Sequence, residues 1–90
     1  MNARLVDRIR ALLEMAFEPE SLSIEDDSAK HVGHEGAKGG GGHFSVAIVS
    51  AHFNGMSMLA RHRAVYAALD DMMQTDIDAL AIDAVASDEL

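Results

Sequence analysis

At 90 residues, 49% of them apolar, the chain is long enough for one small folded domain and too short for a second core. It contains no cysteine, which excludes disulfides, a thiolate metal ligand and a cysteine nucleophile. Its net charge of −8 argues against a surface built as a whole to hold phosphate backbones.

The charge is unevenly placed. Residues 1–28 hold three arginines against seven carboxylates, and residues 70–90 hold seven carboxylates and no base. Between them, Lys30, Lys38, Arg61 and Arg63 face only Glu35, and all five histidines lie in this middle stretch. Its charge therefore responds to pH near neutrality. The N-terminus lacks the apolar core of a signal peptide, and no run nears the roughly 18 apolar residues of a membrane span. The expectation is a soluble, cytoplasmic protein.

In chain order, residues 3–17 read as an amphipathic helix. Leu5, Ile9, Leu12, Leu13 and Ala16 form its apolar stripe, Asn2 is placed to cap it, and Pro19 ends it. Residues 21–27 alternate as a strand, with Leu22 and Ile24 on one side and Ser23 and Glu25 on the other. Asp26 and Asp27 point to opposite faces and read as solvated strand-end charges, not as a catalytic pair.

Residues 28–42 form a long loop that contains six of the seven glycines, four of them consecutive at 39–42. A phosphate-cradling loop is rejected, because that motif needs Gly-Lys-Ser/Thr opening a helix and these glycines lead into a strand. The reading is a flexible hairpin connection. His31 and His34 in this loop, with His43 at its exit, have spacing and donor type that suit a metal, though two neighbouring histidines alone are a weak signal.

Residues 43–50 alternate again, with Phe44, Val46 and Ile48 against Ser45, Ala47 and Val49. A turn at Asn54-Gly55 precedes a helix over 57–74, with Ser57 as its N-cap and Leu59, Val65, Leu69 and Met72 as its core stripe. His62 lies beside that stripe, where a plain surface histidine is not expected. Residues 76–85 read as a last strand partly buried on both faces, and 86–90 as a frayed acidic tail. The order helix, strand, strand, helix, strand predicts an α/β domain with a three-stranded mixed sheet and helices on one face. Strands one and two would pair antiparallel, and the second helix would cross over to strand three.

These residues are similar to the BolA-like proteins in order and spacing. The resemblance is carried by Asp27-Ser28, Lys30-His31, His43-Phe44, Ile48-Val49-Ser50, Phe53-x-Gly55, Arg61-His62-Arg63-x-Val65-Tyr66 and Ala79-Leu80-Ala81. It implies a class II KH-like fold and a non-enzymatic partner of a monothiol glutaredoxin. The two would share a bridging 2Fe–2S cluster for cluster delivery or iron- and redox-linked regulation. The family's helix histidine matches His62 and its loop ligand matches His31, a histidine-type member, with His34 as the alternative loop ligand. Cysteine and glutathione would ligate from the glutaredoxin side, and the isolated chain would carry no cofactor, as a monomer or weak homodimer. Two departures stand out: Gly40-Gly41-Gly42 replaces a polar triplet, and Asp78 stands where family members often have histidine.

The alternative is a DNA-binding transcriptional regulator that touches phosphates through Arg61, Arg63, Lys30 and Lys38. Gly33 and Gly36 have the Gly-x-x-Gly spacing of a KH clamp but lie in a hairpin loop, not between helices. The acidic flanking segments would oppose approach of the nucleic acid.

Overall fold

A computed structural model describes residues 3–28 and 42–90. The elements are α1 (Ala3–Phe17), β1 (Ser21–Asp26), β2 (Gly42–Ser50), a 3₁₀ turn (Ala51–Phe53), α2 (Met58–Ala68), α3 (Asp70–Thr75), β3 (Ile77–Ala86) and a closing 3₁₀ turn (Ser87–Glu89). The sheet order is β1-β2-β3, with β2 in the middle. It pairs antiparallel with β1 and parallel with β3, as the element order requires. This is the anticipated three-stranded mixed sheet with helices. Most of the loop 28–42, with the flexibility expected of it, lies outside the described residues.

Alternation along β2 decides the layering. Phe44, Val46, Ile48 and Ser50 are buried, and they meet Ile9, Leu13 and Phe17 of α1, Val65 of α2, Leu69 and Met72 in one core. The other face of the sheet is open. Ala79, Ala81 and Asp83 are exposed there, so the partial burial expected on this face of β3 is confined to Val85, which is half-buried. Among the described residues no third layer covers this parallel pair, and small side chains take the place of long apolar ones on that face.

Local chemistry explains the element ends. Glu18 takes a left-handed conformation (φ 45°) and donates its N–H to Glu14, and Pro19 follows, so α1 stops there. Gly55, with φ 78°, makes the turn that L residues resist, and Ser57 caps α2 by accepting the Ala60 N–H at 3.1 Å. The single helix expected over 57–74 is divided at Leu69 into α2 and α3. Asp70 and Asp71, in the first turn of α3, favour a new helix N-terminus at that point.

Leu59 departs from the expected core stripe: it is 60% exposed. Packing sets the helix phase through Arg61 and Val65, which are 5% and 0% exposed. At about 100° per residue, Leu59 then falls on the outer side. The tail is not frayed either. Residues 87–89 form a 3₁₀ turn held from both sides: Glu89 reaches Arg61, and Asp88 donates its N–H to Asn54 Oδ1 at 3.1 Å.

Candidate functional site

The two ends of the β2–β3 ladder carry different chemistry. At the Ser50 end, the guanidinium of Arg61 enters the core from α2. It donates to Met56 O at 3.0 Å, to Ala84 O at 3.0 Å, and to both oxygens of Glu89 at 2.7 and 3.1 Å. Glu89 also accepts the Ala86 N–H at 2.8 Å. The hydrogen bond with Glu89 raises the Arg61 pKa against the lowering effect of burial. In return it holds the Glu89 carboxyl below the usual glutamate range, helped by the Ala86 N–H. Arg61 is therefore an internal clasp and is not available to a phosphate, which corrects its place in the nucleic-acid reading. Arg63 is exposed, and Lys30 and Lys38 lie outside the described residues.

At the other end, both strands that border the loop are tied together. Asp27 N donates to His43 O at 2.7 Å, and His43 N donates to Ser28 Oγ at 3.1 Å. Asp26 Oδ1 accepts the Ser28 N–H at 2.9 Å, and Asp27 accepts the Ser45 hydroxyl on the open face. The two carboxylates do point to opposite faces, but they are engaged in the loop's anchorage and are not merely solvated charges.

One juxtaposition was not foreseen. The β2–β3 register slips between Gly42, which pairs with Ile77, and His43, which pairs with Ala79. Asp78 is the extra residue of this bulge, a device that re-aims a side chain. Its carboxylate comes to 3.5 Å from His43 Nε2. A parallel register joins residues distant in sequence, so only the departure at Asp78 hinted at it.

His62 sits on α2, half-buried, next to the Arg61 clasp. Its Nε2 is withdrawn from solvent and has no hydrogen-bond partner among the described residues. A buried imidazole nitrogen normally has one. His31 and His34 are outside the described residues, so the structure does not bring them together with His62. Among the described residues no three His, Asp or Glu side chains converge to hold a metal ion. A metal or cluster on this chain would need the loop, a partner, or both. The His62 donor, an imidazole nitrogen with no competing bond, fits such a shared ligand set.

The BolA-like protein family model matches residues 13–89, and the chain belongs to that family. BolA-like protein 1 of Mus musculus is 46% identical over 76 residues, covering 84% of this chain and 53% of that protein. Protein BOLA1, chloroplastic, of Arabidopsis thaliana is 45% identical over 78 residues, covering 83% of this chain and 49% of that protein. The chain thus spans about half the length of these relatives. Among solved structures, the BolA domain of SufE1 from Arabidopsis thaliana matches with a TM-score of 0.84 at 38% identity, covering 100% of this chain and 99% of that one.

Proposed function

We propose that this chain is a non-enzymatic, histidine-type partner of a monothiol glutaredoxin, sharing with it a bridging 2Fe–2S cluster in cluster delivery or iron- and redox-linked regulation. The supporting observation is the imidazole of His62, whose Nε2 lacks a partner among the described residues in a chain of the BolA-like family. Thiolates from glutaredoxin and glutathione would hold the other iron, and mixed ligation of this kind raises the potential over an all-thiolate cluster. His62 has to present a neutral nitrogen, so the shared cluster should be lost in acid. The Arg61 clasp keeps the helix that carries His62 in place.

Covalent reach bears on the loop ligand. α2 packs on β3, where Arg61 touches Ala84, five residues along the strand from Ala79 at the loop mouth. His62, next to Arg61 on α2, therefore belongs to the Ser50 half of the ladder. His31 stands three residues after Ser28 and spans about 10 Å at full extension; His34 stands six after it and spans about 20 Å. The approach of Asp78 to His43 at 3.5 Å favours one second reading: a ligand site at the loop mouth, in which Asp78 would share a metal with His31.

The nucleic-acid alternative is weakened by the clasp on Arg61 and by carboxylates on the open sheet face. No helix among the described residues is long and apolar enough to cross a membrane. The cytoplasmic placement remains part of this proposal, since one relative is named as chloroplastic.

The test is anaerobic assembly with a monothiol glutaredoxin, glutathione, iron and sulfide, read by visible absorption and circular dichroism. A hetero-complex spectrum lost with His62→Ala and altered by His34→Ala or His31→Ala supports the reading and names the loop ligand. A spectrum intact in His62→Ala but lost in His31→Ala and Asp78→Asn moves the site to the loop mouth. Spectra identical to glutaredoxin alone would sink the cluster reading altogether.

A further inference from the structure

We infer that the free edge of β3 docks a second copy of this chain, whose own β3 adds antiparallel about a two-fold axis at Ala81. A three-stranded sheet has two outer edges, and each presents main-chain groups that no neighbouring strand meets. On β2, Val49 accepts from Glu20 and His43 from Asp27, so its odd-numbered residues turn to β1 and its even-numbered ones to β3. Val46 lies opposite Ile82 in the parallel register, which makes Ala81 and Asp83 its bonding partners. Leu80, Ile82, Ala84 and Ala86 therefore turn their N–H and C=O groups outward. Two of these groups are already engaged. The Ala84 carbonyl accepts from Arg61 at 3.0 Å, and the Ala86 N–H donates to Glu89 at 2.8 Å. The clasp thus closes the edge from Ala84 onward. Among the described residues nothing meets the outward main chain of Leu80 and Ile82.

The side chains along this open stretch decide what fits it. From Ala79 to Ile82 there is no charge and no proline, the usual guards of an exposed edge. A two-fold axis at Ala81 sets Leu80 against Ile82 of the second copy on both sides, with about four main-chain hydrogen bonds. Both side chains are half-buried on the helix side, and the pairing covers what each leaves open. On the open face Ala81 meets its own equivalent and Ala79 meets Asp83, so no like charges are directly opposed. An axis at Ile82 would instead bring the two Asp83 carboxylates into diagonal contact and call on the Ala84 carbonyl that Arg61 holds.

The free edge of β1 offers no such match. Leu22 and Ile24 face outward there, and pairing them with a second copy sets Glu20 against Asp26. Only β3 is its own complement. The contact is short and each chain carries −8, so the association is weak and grows with concentration and with salt. It needs neither cluster nor glutaredoxin.

The test joins sedimentation equilibrium of the chain alone to cysteine cross-linking. The sequence has no cysteine, so Ala81→Cys gives a single thiol at the axis. Directly opposed residues of a non-hydrogen-bonded antiparallel pair lie about 4.5 Å apart at Cα, within disulfide range. Ala47→Cys, exposed on the same face but one strand inward, is the control. Mild oxidation is expected to join Ala81→Cys chains roughly tenfold faster than Ala47→Cys chains. Ala81→Lys sets two ammonium groups across the axis and is expected to weaken self-association by roughly tenfold. All of these positions face solvent, so denaturation midpoints, measured for each variant, should stay near wild type. Equal cross-linking rates at the two positions would overturn the β3 edge as the contact. So would a wild-type chain that stays monomeric at millimolar concentration, or a dimer that Ala81→Lys leaves unchanged.

Discussion

The two ends of the β2–β3 ladder are built to opposite rules. At the Ser50 end the polar groups are enclosed: Ser50 is fully buried, donating to Phe17 O at 2.6 Å and accepting the His52 N–H at 3.0 Å. Arg61, 5% exposed, ties α2, β3 and the closing turn into one unit. At the loop end the Asp78 side chain is 42% exposed and meets His43 across a bulge. Enclosed, satisfied networks give rigidity, whereas half-exposed ionisable pairs contribute little to stability and remain open to other chemistry. Changes at the Ser50 end should therefore act on folding, and changes at the loop end on ligands.

The largest loss is expected from Arg61→Met, which leaves the Ala84 and Met56 carbonyls without their donor and releases Glu89. A drop in the thermal midpoint on the order of 10 °C is the expected result. A midpoint near wild type would end the view of Arg61 as the clasp of this domain. Gly42→Ala comes next and tests the packing that the loop end does have. A Cβ there would collide with the ring of Phe44, which is itself 2% exposed. Overpacking of this kind costs about 1–3 kcal/mol in chemical denaturation. Ser50→Ala removes two hydrogen bonds, and its expected cost is about 1–2 kcal/mol.

A pH series separates the clasp from ordinary packing. The Glu89 carboxyl is held below the usual range, so the unfolded chain takes up its proton more readily than the folded one. Its contribution is complete above the unfolded carboxyl pKa and fades as pH falls through the folded one. Glu89→Gln should have a lower midpoint than wild type at neutral pH, and the gap should narrow on acidification. A gap that stays constant into acid would mean that the carboxylate charge has no part in the clasp.

The strands and their faces were legible because alternation has a period of two and β2 holds it without exception. The helix caps at Ser57 and the turn at Gly55 were legible for an equally local reason. What escaped depends on packing or on distant partners. Leu59 and Arg61 exchange the environments that their polarity suggests, because Arg61 has the Ala84 carbonyl and Glu89 to receive it 23 and 28 residues away. Glu89 looked like tail charge for the same reason. Gly42 read as one more loop glycine, yet it begins β2 and is buried against Phe44. The meeting of His43 with Asp78 follows from a parallel register and a bulge, neither of which a linear pattern carries.

The smallest effect on folding is expected at that meeting. A pair 3.5 Å apart with one partner 42% exposed contributes at most about 0.5 kcal/mol, so Asp78→Asn should leave the denaturation midpoint nearly unchanged. The assembled hetero-complex reads the same substitution differently. If His62 with a loop histidine holds the cluster, Asp78→Asn leaves the visible circular dichroism as in wild type. If the loop mouth takes part, replacing a carboxylate by an amide removes a charged oxygen donor, and the spectrum shifts or the cluster is lost sooner. Asp78→His sharpens the choice, because it installs an imidazole at the bulge. A cluster held longer by Asp78→His, together with an intact spectrum in His62→Ala, would assign the ligand position to β3 and take it away from α2.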